Sequence, residues 1–256
     1  MRVAVAGGTG LTGRHVVDTL RNLGHEPVVL ARSTGVDLLT GAGLDAALES
    51  VAAVVDVSDV KATRRRTAVG FFDTAGRVLL AAERRAGVAH HVVLSIVGVD
   101  RVPIGYYAGK LRQEQVAAAG RVPCTVLRAT QFHEFPRQLL ERVPGPLAVA
   151  PAARVRPVAV REVAEVLAEL AVGPPLGTAP ELAGPREEFL PDMVRAVVNA
   201  NGLRRLVVPV PLVGPAGRAV AAGGLLPADE APRARQTFDQ WLAEEAGRAA
   251  LKRRTA

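Results

Sequence analysis

Through the first half of the chain, short apolar runs alternate with longer stretches whose apolar positions recur every three or four residues. The short runs predict buried strands at residues 3–6, 27–31, 53–57, 91–96 and 124–128. The longer stretches predict helices at residues 11–23, 44–49, 67–86 and 108–119, each with one apolar face. Gly24, Gly87 and Gly120 stand just past three of these helices, where a left-handed terminal residue is wanted. Strands apolar on both sides, each followed by a helix, predict a parallel sheet covered on both faces. Right-handed crossovers then make a doubly wound α/β fold.

Beyond about residue 128 the alternation fades and proline becomes frequent. Helices are expected at 161–172, 191–201, 215–222 and 235–247, with one strand at 206–210. The expected organisation is a sheet domain over residues 1–130 and a small α+β lobe over 131–256, packed on it and returning some segments to the sheet. The chain has no Ser/Gly-rich linker and no internal repeat.

Composition narrows the picture. Apolar residues make up 49% of the chain but aromatics only 4%, so the core must be built from Val, Leu and Ala. No apolar run approaches the ~18 residues of a membrane span, and the first residues lack the pattern of a signal peptide. The single cysteine, Cys124, rules out an internal disulfide and suits a reducing cytoplasm, the expected location. A net charge of +7 raises the question of nucleic acid. The charge is almost all arginine, with only Lys61, Lys110 and Lys252 as lysines. Its clusters at residues 61–66 and 252–254 are not interleaved with aromatics, so no nucleic-acid partner is expected.

The chemistry begins at Val3-Ala-Val-Ala-Gly-Gly-Thr-Gly-Leu-Thr-Gly13. Gly7, Gly10 and Gly13 follow a strand directly and open a helix directly, the context that gives a glycine pattern meaning. Gly7 permits a sharp turn, Gly10 lets the backbone approach a pyrophosphate, and Gly13 lets the helix lie close to the strand. The amides of Thr9, Gly10, Leu11 and Thr12 then face a dinucleotide, helped by the helix dipole. The second strand ends in Arg32, Ser33 and Thr34, where an NAD site usually carries an acid. A guanidinium there suits a 2′-phosphate, so NADP(H) is expected. Asp37 and Leu38 either flank the adenine or, for Asp37, start a helix or serve a turn.

Further stretches are Leu94-Ser-Ile-Val-Gly98, Gly105-Tyr-Tyr-Ala-Gly-Lys-Leu111, Leu127-Arg-Ala-Thr-Gln-Phe-His-Glu-Phe135 and Leu182-Ala-Gly-Pro185. In this order, with the glycine loop and Arg32, they resemble the atypical short-chain dehydrogenase/reductases. The nearer resemblance is to the NmrA-like NAD(P)H-binding branch, with its triphenylmethane-reductase-like quinone and dye reductases. The resemblance spans nearly the whole chain and implies an NADP(H)-binding Rossmann domain with a C-terminal substrate-binding lobe. That branch holds both reductases and cofactor-sensing regulators.

Tyr106 and Lys110 form a Tyr-x-x-x-Lys pair, on one face of a helix if the helix includes both. A lysine beside a phenol favours its ionisation, and such a phenol can protonate a carbonyl oxygen as hydride arrives at carbon. Ser95, eleven residues before Tyr106, could donate to the same oxygen, as in the Ser–Tyr–Lys arrangement of short-chain dehydrogenases. If the helix starts late, Tyr106 is a cap residue, and Tyr107 is the alternative ring. By resemblance Lys110 also serves the nicotinamide ribose, and Thr130, Gln131 and Phe132 line the nicotinamide. His133 and Phe135 are candidates for substrate, with a hydrogen-bonded loop histidine as the other reading of His133. Ser58 and Asp59 are expected beside the cofactor, although Asp59 could only cap the segment after it. His90 and His91 lack zinc spacing, no metal site is expected, and Cys124 reads as an inert strand residue.

The expected activity is NADPH-dependent hydride transfer to a small hydrophobic acceptor: a quinone, a conjugated carbonyl or a biosynthetic ketone. The alternatives are a non-catalytic NADP(H)-sensing regulator of NmrA type and an epimerase holding NAD, against which Arg32 speaks. The protein is expected to work as a monomer or homodimer, away from membranes.

Overall fold

The apolar runs become strands because helices cover both their faces: Val3, Ala4, Val5 and Ala6 are completely buried, as are Ala53, Val54 and Val55. The computed structural model describes residues 1–228, 231 and 234–255, with side chains described up to residue 247. The side chains of the basic tail at 252–254 therefore lie outside the described residues. The chain divides into two compact units, Met1–Ala129 with Val160–Pro180, and Thr130–Ala159 with Glu181–Ala256.

The first unit is built on β1 (Arg2–Ala6), β2 (Glu26–Leu30), β3 (Ala53–Asp56), β4 (His90–Ile96) and β5 (Cys124–Ala129). With the short β8 (Gly177–Thr178) they form a six-stranded sheet in the order β2-β1-β3-β4-β5-β8. Every pairing is parallel. Its helices are α1 (Leu11–Asn22), the short α2 (Leu44–Ala47), α3 (Arg65–Ala86), α4 (Gly105–Ala118) and α6 (Val160–Val172). α1 packs beside α6, and α3 beside α4. Strand order steps outward in opposite senses from β1, so right-handed crossovers put these helix pairs on opposite faces. The doubly wound α/β fold read from the sequence is the fold observed.

Two local expectations are corrected. α4 starts at Gly105, three residues before the expected start. Its glycines are not breakers but points of close approach: a Cβ at Gly109 would stand 2.8 Å from both Ala68 Cβ and Phe72 Cδ2, and one at Gly105 2.4 Å from the Thr63 carbonyl oxygen. Gly120 is the second correction, because only Gly24 and Gly87 of the three proposed caps are left-handed. α4 ends instead on Ala119 in ordinary right-handed geometry.

The second unit holds α5 (Phe135–Arg142), α7 (Leu190–Ala200), α8 (Gly214–Ala221) and α9 (Phe238–Thr255). β6 (Leu147–Pro151) pairs in parallel with β10 (Leu206–Val210), and β7 (Arg154–Val155) pairs antiparallel with β9 (Glu188–Phe189). Within this unit α7 packs on α5, β6, β10 and α9.

His91 and Glu83 form a fully buried pair on the α3 face of the sheet, Nδ1 to Oε1 at 2.8 Å. Burial opposes a charge on His91, but the Glu83 and Asp56 carboxylates outweigh it and hold the imidazole above its ordinary range. His90 Nε2 lies 2.8 Å from Thr125 Oγ1. Neither histidine faces a metal cluster, and among the described residues no group of three or more His, Cys, Asp or Glu could hold one. No helix among the described residues is long and apolar enough to cross a membrane. Cys124 is half-buried, and burial pushes its thiol up, away from reactivity.

The α3–α4 contact at Gly109 yields a stability test. Gly109→Leu is expected to cost about 1–3 kcal/mol through overpacking, read as a lower urea midpoint with an unchanged slope. An unchanged midpoint would contradict the close approach.

Candidate active site

The chain leaves β1 at Gly7 with φ +77°, a conformation that side chains disfavour. A Cβ there would lie 2.8 Å from the Val57 carbonyl oxygen and 3.0 Å from Ser58 Cα. At Gly13 a Cβ would stand 2.2 Å from the Gly7 carbonyl oxygen, so the first turn of α1 rests directly on the loop. Gly10 is the N-cap, and its amide donates to the Gly7 carbonyl at 2.9 Å. That amide is therefore engaged, which corrects its place among the expected ligand-facing amides. The amides of Leu11, Thr12 and Gly13 occupy the first helical positions and have no intrahelical acceptor. No side chain caps them and no acid stands in the first turn. The result is a helix N-terminus with uncapped amides, the kind of geometry that suits an anion.

At the neighbouring tip of β2, Arg32, Ser33 and Thr34 form one 3₁₀ turn. Arg32 is exposed, and its guanidinium makes no hydrogen bond or ion pair with a described residue. Thr34 Oγ1 accepts from the Ala31 amide at 3.2 Å and donates to the Val29 carbonyl at 2.9 Å, which fixes the turn. Asp37 is a turn residue: its Oδ1 accepts from the Leu39 amide at 2.7 Å and the Thr40 amide at 3.3 Å. Leu38 is half-buried against the core beneath β1 and β2.

The tip of β3 gathers the remaining candidates of this unit. Asp56 is buried, its Oδ1 accepting from the Ser58 amide at 2.9 Å and its Oδ2 from Gln113 Nε2 at 2.7 Å. Gln113 Oε1 accepts in turn from Lys110 Nζ, which also lies 4.9 Å from the centre of the Phe72 ring. Burial pulls the Lys110 ammonium below its ordinary range, against the carboxylates of Asp56, Asp59 and Glu114. Tyr106 lies inside the helix rather than at its cap, and its hydroxyl donates to Asp59 Oδ1 at 2.5 Å. Ser58 is buried beside Gly7. Ser95 is buried too, and its Oγ has no hydrogen-bond partner. The register pairs Val93 with Asp56, so strand alternation puts Ser95 on the same sheet face as Asp56. Gly7, Ser58, Asp59 and Tyr106 thus form a contiguous series, with Lys110 tied to it through Gln113 and Asp56.

Thr130, Gln131, Phe132, His133 and Phe135 belong to the second unit. Thr130 Oγ1 donates to the Arg156 carbonyl at 2.6 Å, and the Gln131 carbonyl accepts from the Val158 amide at 2.9 Å. Phe132 bridges to Val158, and Phe135 starts α5 half-buried. His133 is completely buried, with Nε2 3.1 Å from the Gln236 carbonyl oxygen and its ring beside Phe238 and Trp241. This is the hydrogen-bonded histidine rather than a group open to substrate.

Three polar residues escaped the sequence reading. Asp56 left a signal, a carboxylate inside an otherwise apolar strand, and Gln113 left a weaker one, a polar residue one helical turn after Lys110. Glu134 left none. Burial lifts its carboxyl to about 7, helped by Glu245 and opposed by a hydrogen bond with Trp241 and by Arg137.

A carboxyl raised by the fold stabilises it fully below the unfolded-chain value, and that stability disappears as pH rises through about 7. Followed by unfolding at Trp241, the single tryptophan, the stability of wild type relative to Glu134→Gln is expected to fall by on the order of 3 kcal/mol from acid to neutral pH. Parallel profiles for the two proteins would contradict this assignment.

No family model matches the chain. The photosystem II assembly factor Ycf39 of Synechocystis sp. is 33% identical over 118 residues, 40% of this chain and 36% of that protein. Only about a third of that relative's length is therefore matched. Solved structures match throughout. MoeE5 in complex with UDP-glucose and NAD has a TM-score of 0.72 at 21% identity, covering 98% of this chain and 100% of that one. The NADPH-dependent quinone oxidoreductase of Escherichia coli, complexed with NADPH, has a TM-score of 0.71 at 17% identity, covering 95% and 99%. A short-chain dehydrogenase/reductase superfamily protein of Agrobacterium tumefaciens with bound NAD has a TM-score of 0.71 at 19% identity, covering 100% and 99%. The chain has the Rossmann-type fold of these NAD(P)-binding reductases and short-chain dehydrogenases.

Proposed function

We propose that the chain is an NADPH-dependent oxidoreductase that reduces a small hydrophobic acceptor, a quinone or a conjugated carbonyl. The observation that carries this reading is the uncapped N-terminus of α1, held against β1 by glycines that leave no room for a side chain. A dinucleotide pyrophosphate would rest on the amides of Leu11, Thr12 and Gly13. Its adenosine ribose would lie toward the tip of β2, where Arg32 has an uncommitted guanidinium. Asp37 uses its Oδ1 within its own turn, and the guanidinium at this tip suits a 2′-phosphate.

A bound nicotinamide supplies the hydride. Lys110 would hold the adjoining ribose hydroxyls, with Asp56 and Gln113 fixing the ammonium. Tyr106 would give the acceptor oxygen its proton, and Ser95 would steady that oxygen. Thr130, Gln131 and Phe132 as nicotinamide contacts, and Phe135 as an acceptor contact, rest on the family resemblance alone. Support for the acceptor class comes from the quinone oxidoreductase that shares this fold.

Titration of the protein with NADPH and NADH tests the cofactor. NADPH is expected to bind more tightly, and Arg32→Ala to weaken it by about 10- to 100-fold, the worth of a charge-assisted bond, while leaving NADH unaffected. Equal affinities, unchanged in Arg32→Ala, would refute the 2′-phosphate assignment. A panel of quinones and enones with NADPH, followed at the reduced-nicotinamide absorbance band, tests the reaction. Tight NADPH binding with no acceptor reduced would point instead to a cofactor-sensing regulator.

A further inference from the structure

In a Tyr-x-x-x-Lys pair the lysine is the expected neighbour of the phenol, yet the phenol here donates to a carboxylate. The Tyr106 hydroxyl donates to Asp59 Oδ1 at 2.5 Å, the length of a charge-assisted O–H···O⁻ bond. The same oxygen accepts from the Val60 amide at 2.7 Å, which fixes the carboxylate on its loop. Phe72 holds the Tyr106 ring edge-on at 5.9 Å and also faces Lys110 Nζ. Lys110 itself is turned toward Gln113 and through it to Asp56. Asp59 is exposed to solvent, whereas Lys110 is buried. Of Asp59 and Lys110, Asp59 is the one open to water.

We propose, resting on the reductase reading above, that Asp59 is the positioning and proton-relay residue of the site, acting through Tyr106. The Tyr106 O–H bond breaks as an O–H bond forms on the acceptor, whose electron pair comes with the hydride of NADPH. Asp59 then takes a proton from water on Oδ1 and passes it to the Tyr106 phenolate. One proton enters from solvent for each one delivered, and the carboxylate is restored. Lys110 is left the separate task of holding cofactor.

The test uses Asp59→Asn, which keeps an oxygen for the Val60 amide but cannot carry the proton. The chain has only two tyrosines, Tyr106 and Tyr107, so their ionisation can be followed by tyrosinate absorbance in cofactor-free protein. A carboxylate touching a phenol disfavours the phenolate. One of the two transitions is expected to move down by about one pH unit in Asp59→Asn, and to vanish in Tyr106→Phe. In turnover with saturating NADPH and a quinone, Asp59→Asn is expected to lower kcat by about 10²-fold, the low end for acid–base help. A limb of the wild-type kcat–pH profile that reports the relay is expected to be absent in Asp59→Asn. The double variant with Tyr106→Phe should lose no more than either alone, as residues acting as one unit do. The relay is overturned if the tyrosine transitions do not move, or if Asp59→Asn turns over like wild type while Tyr106→Phe is impaired; the reductase reading survives both results. If wild type reduces no acceptor, the reductase reading fails and the relay fails with it, even where the titration reports the Asp59–Tyr106 contact.

Discussion

The absence of a side chain at Gly13 is the constraint on which the candidate site depends. With a Cβ there only 2.2 Å from the Gly7 carbonyl oxygen, even alanine would push α1 away from the end of β1. The close approach aims three unpartnered amides at the strand end. It also presses Gly7 against Val57 and Ser58, so the turn after β3 is drawn to the same spot. That turn brings Asp59 to Tyr106, and the following residues meet Gly105 at the start of α4. Glycines at three contacts thus set the spacing of uncapped helix amides, a carboxylate and a phenol.

The same edge concentrates polar atoms that a purely structural core would avoid. A buried lysine is costly unless its charge is answered. Lys110 is answered indirectly, by an amide that hands the interaction on to the Asp56 carboxylate. Ser95 keeps a buried hydroxyl with no partner. By contrast, the His91–Glu83 pair lies at the other end of β4 and is satisfied within itself. Ser95 and the Lys110–Gln113–Asp56 chain lie toward the C-terminal ends of β3 and β4, the end at which doubly wound sheets bind ligands. Such local conflict with the rules of core packing marks a functional edge.

What could be read from the sequence follows the range of the interactions involved. β1 to β5 and their helices were legible because apolar periodicity is local, and burial on both faces leaves an unbroken run. The glycine loop was legible because turn, strand and helix are consecutive. The start of α4 was misplaced because Gly105 and Gly109 look like breakers until Thr63, Ala68 and Phe72 are seen against them. β6 was missed because prolines frame it, and its partner β10 lies far along the chain. The Tyr106–Asp59 bond spans 47 residues and leaves no trace in spacing, whereas Lys110 and Tyr106 suggested a pairing that Gln113 and Asp59 redirect.

The most direct measurement of the central claim is an amide-resolved NMR titration with NADPH. The backbone amides of Leu11, Thr12 and Gly13 are expected to shift strongly and together at the start of α1, because they have no acceptor within the fold. The engaged amides of Gly7 and Gly8 should move less. NADPH binding that leaves the three helix amides unmoved would contradict the account.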